Sequence, residues 1–429
     1  MKILNKRSRA KFVILLLLTL LFIIDSSFNS KTDLLAKETQ TYGIDKSSFI
    51  ITVPDDYSTI QQAIDAASPG DVIYVKSGVY YEKIDVYKSD LVIMGEDRKS
   101  TIIDGDGNGP VVRISANNVT FTNFTLRKSG SRSCVEIYAF ANFSFNNVLQ
   151  SSVGVHVSKE SVIVNNFISG CGVGVSLYYC SMVIVKCNSF SKNTVGISMS
   201  GAHDNFIANN TITESVPGGH GITVLQGSFN NSICWNLIWN NSHGIWLSGS
   251  SHSNRIIANT IAKNDILGIE LTGASDNIIY HNNFIENKKQ VTTNTTNIWD
   301  NGYPSGGNYW SDYKNKYPDV EDEYKGITQS EPGSDGIWDK SYQIVGKNID
   351  HYPLVRPFGR IPDFEPPKTS HDYDNKWHNQ DFTIHLTAND DLSGVENTFY
   401  RINDGKIQKV SVEGQPFINT EGANNTLEF

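Results

Sequence analysis

An asparagine, any residue, then an aliphatic or aromatic residue recurs in pairs along the middle of this chain, and the pairs themselves recur. Six pairs lie between Ser161 and Asn287. Three are nearly identical: Asn231-x-Ile233 to Asn236-x-Ile238, Asn254-x-Ile256 to Asn259-x-Ile261, and Asn277-x-Ile279 to Asn282-x-Phe284. On subtraction, the central asparagines Asn166, Asn188, Asn210, Asn236, Asn259 and Asn282 are 22, 22, 26, 23 and 23 residues apart. A unit of that length cannot bury its apolar face alone, so the copies must stack into a solenoid.

Each unit also carries a glycine followed by alternating apolar residues, as in Gly174-Val175-Ser176-Leu177, Gly196-Ile197-Ser198-Met199, Gly221-Ile222-Thr223-Val224, Gly244-Ile245-Trp246-Leu247 and Gly268-Ile269-Glu270-Leu271. Period-two alternation turns the outer pair inward and leaves the middle residue on the surface. Three short strands on a period in the low twenties predict an all-β, right-handed single-stranded parallel β-helix. Asparagine suits its corners, because it tolerates the left-handed backbone region and its amide can both donate to and accept from the amide one coil away. Coils rise about 4.8 Å, so Asn166, Asn188, Asn210, Asn236, Asn259 and Asn282 are expected to form a structural ladder.

No asparagine occurs from Ser30 to Gly107, which marks a different entry segment. There Ser58-Thr59-Ile60-Gln61 reads as a capping box. Ile60, Ala63, Ile64 and Ala67 supply an apolar stripe, predicting an N-terminal capping helix that ends at Pro69-Gly70. Strands are expected over 72–75, 91–94, 101–103 and 111–114. Upstream, five basic residues precede an apolar run over 12–24 broken only by Thr19, the pattern of an export signal cleaved near 26–30, with an uncleaved anchor as the alternative. Past Asn301 the period stops. A tail rich in Gly, Tyr, Trp and acids is expected to cap the last coil, and Pro362, Pro366 and Pro367 read as a linker to a β-rich module that ends before it has enough strands for a sandwich. The expected organisation is residues 1–30 signal, 31–48 linker, 49–298 β-helix, 299–358 capping tail and 359–429 the final module.

The net charge of −9 and a charged fraction of 19% argue against a nucleic-acid partner, which calls for a basic stripe. The five cysteines show no Cys-x-x-Cys metal spacing and read as small buried residues in tight coils.

The entry segment Ile51 to Ile64 and the coils from Asn117 to Asn287 resemble the pectin-lyase-like superfamily, most nearly its carbohydrate-binding and sugar-hydrolase repeat domain in NosD-like proteins. Gly307-Asn308-Tyr309-Trp310-Ser311-Asp312-Tyr313, 333–339 and Asp350-His351-Tyr352-Pro353-Leu354 are similar to the tails that follow such repeats. Residues 377–384 and 390–395 resemble the Ig-like β-sandwich modules appended to them. The resemblance implies a fold that hosts many functions. It leaves three readings open: an exported surface or periplasmic protein binding carbohydrate, a polysaccharide lyase, esterase or hydrolase, and a copper-delivery accessory protein.

Function must then come from surface positions. Ser176, Ser198, Thr223, Trp246 and Glu270 share one coil position, so Trp246 is expected about 4.8 Å from its neighbours. An exposed indole beside a carboxylate suits a sugar, the ring stacking on C–H groups while the acid accepts hydroxyl protons. Trp239, Trp246 and Glu270 are therefore the carbohydrate-binding candidates. His220 and His243 precede the coil glycine in consecutive coils and are expected to stack, the basis for a copper site, although two histidines fall short of the usual three or four ligands. Asp319-Val320-Glu321-Asp322-Glu323 with Asp335 is the candidate for Ca²⁺, without the ordered spacing of a calcium loop. No catalytic set is assigned: Gly219-His220-Gly221 lacks the accompanying acids and reads as a coil turn. Eight Asn-x-Ser/Thr matches are expected by chance in so polar a chain. The expected partner is a polysaccharide or glycan, with no nucleic acid, membrane contact only through the N-terminal segment, and a monomeric chain.

Overall fold

The computed structural model describes residues 49–359, 361, 368–374, 376, 378–389, 395, 397–411, 414–419 and 425–429. Residues 1–48, where the export signal and first linker are expected, lie outside the described residues, as do Trp377 and 390–394 of the expected final module.

Strands wind in a fixed rotation and pair only with their equivalents one coil away, which builds three parallel sheets. The first sheet has eleven strands, from Ile50–Val53 to Ile278–Tyr280. The second has ten, from Ile84–Val86 to Val291–Thr293. The third has eleven, from Gly78–Tyr80 to Tyr309–Trp310. This is a parallel β-helix. Its interior is filled by in-register apolar columns: Ile207, Ile233, Ile256 and Ile279 on the first sheet, Ile212, Ile238 and Ile261 on the third. All are essentially removed from water. Each such side chain contributes about 1.5–3 kcal/mol of burial.

The coil glycines are a packing requirement. A Cβ on Gly174, Gly196, Gly221 or Gly244 would stand 2.4–2.6 Å from a glycine carbonyl oxygen of the next coil. No side chain fits where two backbones approach that closely.

Three asparagine ladders run up the corners. In the central one, Asn166 Nδ2 donates to Asn188 Oδ1 at 3.0 Å, and the same bond repeats from Asn188 to Asn210, Asn236, Asn259, Asn282 and Asn308. A second ladder links Asn205, Asn231, Asn254, Asn277 and Asn297, and a third includes Asn264 and Asn287. Each rung also settles backbone groups: Asn188 Nδ2 donates to Ile163 O and Lys186 O, while Asn210 Oδ1 accepts from Asn188 N.

The ladder residues themselves do not take the left-handed conformation expected of them. Positive φ falls one residue earlier, at Asn165, Cys187, Asn209, Trp235, Ala258 and His281. The physical reason is a division of labour: the preceding residue reverses the chain, leaving the asparagine amide free to bond along the ladder. Only two of those six residues are asparagine.

Helix α1 (Ile60–Ala66) buries Ile60, Ala63 and Ile64 against the first coil. Its cap is Thr59, not Ser58: Gln62 N donates to Thr59 Oγ1, while the Gln62 side chain accepts from Ser58 Oγ instead of closing a reciprocal box. Glu82 accepts from Ile60 N and Gln61 N, tying the helix start to the sheet beneath it.

The tail over 299–356 acts as a further, irregular coil. Trp310 stacks between Phe284, at 4.3 Å, and Tyr342, at 4.2 Å. Asn348 accepts from Asn297 N as the next rung of the second ladder. The central ladder ends on the buried carboxylate of Asp350, which accepts from Asn308 N, Trp310 Nε1 and Tyr352 N.

Residues 357–429 form a separate unit of antiparallel pairs, among them Lys368–His371 with Leu386–Asn389 and Phe382–Thr383 with Phe417–Ile418. Its small core is Ile384, Leu386, Tyr400 and Ile418.

Candidate functional site

Outward side chains of the second sheet fall into straight columns because its strands pair in register. One column runs Asp85, Arg113, Glu136, His156, Ser176, Ser198, Thr223, Trp246, Glu270 and Thr292. Near its start Arg113 grips Glu136, Nη2 to Oε2 at 3.1 Å. Burial lowers the His156 pKa, opposed by the charge of Glu136. Burial raises the Tyr138 pKa, and Glu136 adds to the rise.

Two residues further along each strand lies a second outward column. The aligned positions Val86, Ile114, Ile137, Val157, Leu177 and Met199 are each followed by one of its members: Tyr87, Ser115, Tyr138, Ser158, Tyr178 and Ser200. Over these six coils tyrosine alternates with serine, and the column continues as Leu225, Ser248 and Thr272. Tyr87, Tyr138 and Tyr178 remain 52%, 46% and 48% exposed. His156 sits between the last two, its ring 6.2 Å from Tyr138 and 6.1 Å from Tyr178. Tyr179 extends the patch, edge-on to Tyr178 at 4.6 Å.

Of the carbohydrate and copper candidates, all but Trp239 lie further along the same sheet. His220 and His243 pair in register and stack at 4.6 Å with planes 16° apart. His220 also covers the Trp246 ring, centroids 5.1 Å apart. Trp246 is therefore half-buried, and its Nε1 is enclosed without a hydrogen-bond partner among the described residues. Glu270 lies beside Trp246 in the ladder and accepts from Thr272 Oγ1. Trp239 belongs to the third sheet, paired with Thr213 and Ala262, and shares no face with Trp246.

Metal donors do not converge here. Imidazole lone pairs lie in the ring plane, so an ion about 2.0–2.1 Å from nitrogens of two stacked rings would sit outside at least one plane. Burial, and then the neighbouring His243, lower the His220 pKa. Among the described residues no group of three or more His, Cys, Asp or Glu side chains could hold a metal. The five cysteines are free, three of them buried. In the acidic turn, Asp322 accepts from Ser334 Oγ, Asp335 N and Gly336 N, while Asp335 accepts from Ile337 N and Gln329 Nε2. Those carboxylates hold their own loop together.

Sequence reasoning missed Tyr87, Tyr138 and Tyr178. The signal was an inward aliphatic residue followed by tyrosine, in Val86-Tyr87, Ile137-Tyr138 and Leu177-Tyr178. Between the first two the coils have irregular lengths, so the column cannot be aligned from spacing alone.

Among curated proteins the chain is similar to pectinesterase/pectinesterase inhibitor 18 of Arabidopsis thaliana, 29% identical over 115 residues that make up 25% of this chain and 20% of that one. It is also similar to the probable pectinesterase/pectinesterase inhibitor 17 of the same plant, 35% identical over 77 residues, 18% of this chain and 14% of the relative. The chain thus spans a fifth or less of the curated relatives it matches. Among solved structures it is similar to the A-module of the Azotobacter vinelandii mannuronan C-5 epimerase, at 19% identity and a TM-score of 0.47, covering 57% of this chain and 76% of that one. A periplasmic alginate epimerase aligns at 19% identity and a TM-score of 0.38, covering 64% and 76%. The family model described as periplasmic copper-binding protein (NosD) matches residues 64–233 and 113–315. Those two spans cover well over half of the chain, all of it within the coiled repeat and its tail, and the chain belongs to the NosD family.

Proposed function

We propose that this is an exported or periplasmic protein that binds an extended polysaccharide along the outer face of its second sheet. The observation that carries the reading is the tyrosine column. Half-exposed rings at Tyr87, Tyr138 and Tyr178 repeat at two coils, about 9.6 Å at a 4.8 Å rise. An extended glycan whose residues alternate in orientation offers an equivalent sugar face at every second residue. Tyrosine stacks its ring on such a face and keeps its hydroxyl wet. Ser115 and Ser158 between them, and Ser200 one coil beyond Tyr178, supply hydroxyls for the residues that face the other way. Exposed aromatics gathered on one face of a polar solenoid also call for a partner.

Binding is favoured over hydrolysis because Glu136 and Glu270 stand six coils apart, about 29 Å. Two carboxylates acting on one glycosidic bond need about 5–10 Å. One observation favours a hydrolytic second reading: Asp85 and Glu136 flank Arg113 two coils apart, about 9.6 Å. Release of reducing ends, abolished in Glu136→Gln, would mark that activity. The family's description names copper, but the donor set of the described residues does not fit such an ion, so copper has no place in this reading.

The test is a polysaccharide screen scored for both retention and product release. Retention on one or more polymers is expected, weakened at least about tenfold in Tyr138→Ala/Tyr178→Ala with an unchanged melting temperature. Retention equal to wild type would sink the reading.

A further inference from the structure

A cleft of about 540 Å³ opens where the tail folds over the last coil. Lys288 and Lys289 rim it from the coil, Lys316 and Asn315 from the tail, and Trp310 and Tyr342 form its floor. Two acids also line it, and both are engaged. Glu286 stands 3.7 Å from Lys263, and Asp312 accepts the Tyr342 hydroxyl at 3.0 Å. The lysines are not answered in kind: among the described residues no carboxylate lies within ion-pair distance of Lys288, Lys289 or Lys316. Lys289 is 3.4 Å from Thr292 Oγ1, and Lys316 Nζ lies 4.1 Å above the Tyr342 ring and donates to Gln343 O. Three lysines against two carboxylates, one of which already faces Lys263, leave the lining net positive on a chain of net charge −9, a local reversal of the molecule's field.

We propose that this cleft binds an acidic sugar residue, a uronate, of an oligosaccharide. Charge selects an anion, and size selects more than an inorganic one. The volume falls in the range of small-molecule sites, far larger than a phosphate or sulfate needs. Polar groups fit the remainder of a sugar. Asn315 is exposed on the rim, Ser311 is half-exposed, and Gln290 is held by Asn287 Nδ2 and donates to Ser311 Oγ at 3.2 Å. The Lys288–Lys289 side takes the carboxylate, and the tail side takes hydroxyls. None of these residues belongs to the tyrosine column, so this inference and the proposed function can fail separately.

Calorimetry on the full chain with a galacturonate trisaccharide and its methyl ester tests the proposal, since the ester differs mainly in lacking the charge. Wild type is expected to bind the acid about tenfold more tightly than the ester, with affinity falling as salt rises. Lys288→Ala/Lys289→Ala should remove that preference without changing the melting temperature, both side chains being exposed. Tyr138→Ala/Tyr178→Ala should retain it. Equal affinity for acid and ester, no binding of either, or a preference that survives the lysine substitutions would overturn the proposal. Displacement of the trisaccharide by inorganic sulfate at equal concentration would overturn the assignment to a sugar.

Discussion

Asn236 shows how much a single rung does. Its Nδ2 donates to Ile207 O, Cys234 O and Asn259 Oδ1, its Oδ1 accepts from Asn210, and it is buried. Asn240, four residues on, is exposed and takes the positive φ that precedes Asn241. Aspartate at 236 would lose those donors and set a carboxylate against carbonyl oxygens. Asn236→Asp is expected to cost about 1–3 kcal/mol or more, and Asn240→Asp less than about 0.5 kcal/mol. Equal shifts in chemical denaturation would remove the ladder as a source of stability. The period of the asparagines was legible in the sequence because every rung demands the same amide. Which neighbour reverses the chain was not, because Cys187, Trp235 and Ala258 share no side-chain chemistry, only a backbone angle.

At the scale of elements, strand placement followed from alternation, and helix α1 from its apolar stripe. The slip from Ser58 to Thr59 at its cap reflects two adjacent hydroxyl residues, with Gln61 and Gln62 serving either register. The glycine column was visible as a pattern, but its cause is contact between coils. Gly244→Ala would push a Cβ to 2.4 Å from Gly268 O. Because this backbone ladder cannot yield locally, a loss of about 1–3 kcal/mol is expected in denaturant titration, with the second-sheet strands on either side of the site exchanging amide hydrogens faster. The tyrosine column is the counterexample to legibility. Its members lie 51 and 40 residues apart, by subtraction of 87 from 138 and 138 from 178, and only strand pairing shows that each interval is two coils.

Across the β-helix as a whole, the two ends are closed by different means, a helix at the start and an aromatic tail at the finish. The finish carries a titratable element. Burial raises the Asp350 carboxyl from 3.8 to about 7, with the hydrogen bonds from Asn308 and Trp310 opposing the rise. A folded-state value above the unfolded one means that the folded chain holds the proton more tightly. The resulting stabilisation is fully present below about pH 4 and is lost as pH rises through 7. Melting temperature should therefore decline between those values, and Asp350→Asn should flatten that part of the profile. An unchanged profile would show that Asp350 does not govern it.

A glycan lying along the second sheet over the tyrosine column would shield those rings from hydroxyl radicals, which footprinting reads out. With a polysaccharide retained in the screen, Tyr87, Tyr138 and Tyr178 should be protected together, while the exposed Tyr324 of the tail reacts as in the free protein. Unchanged reactivity of the three tyrosines in the presence of a retained polysaccharide would mean that the polymer does not lie on the second sheet.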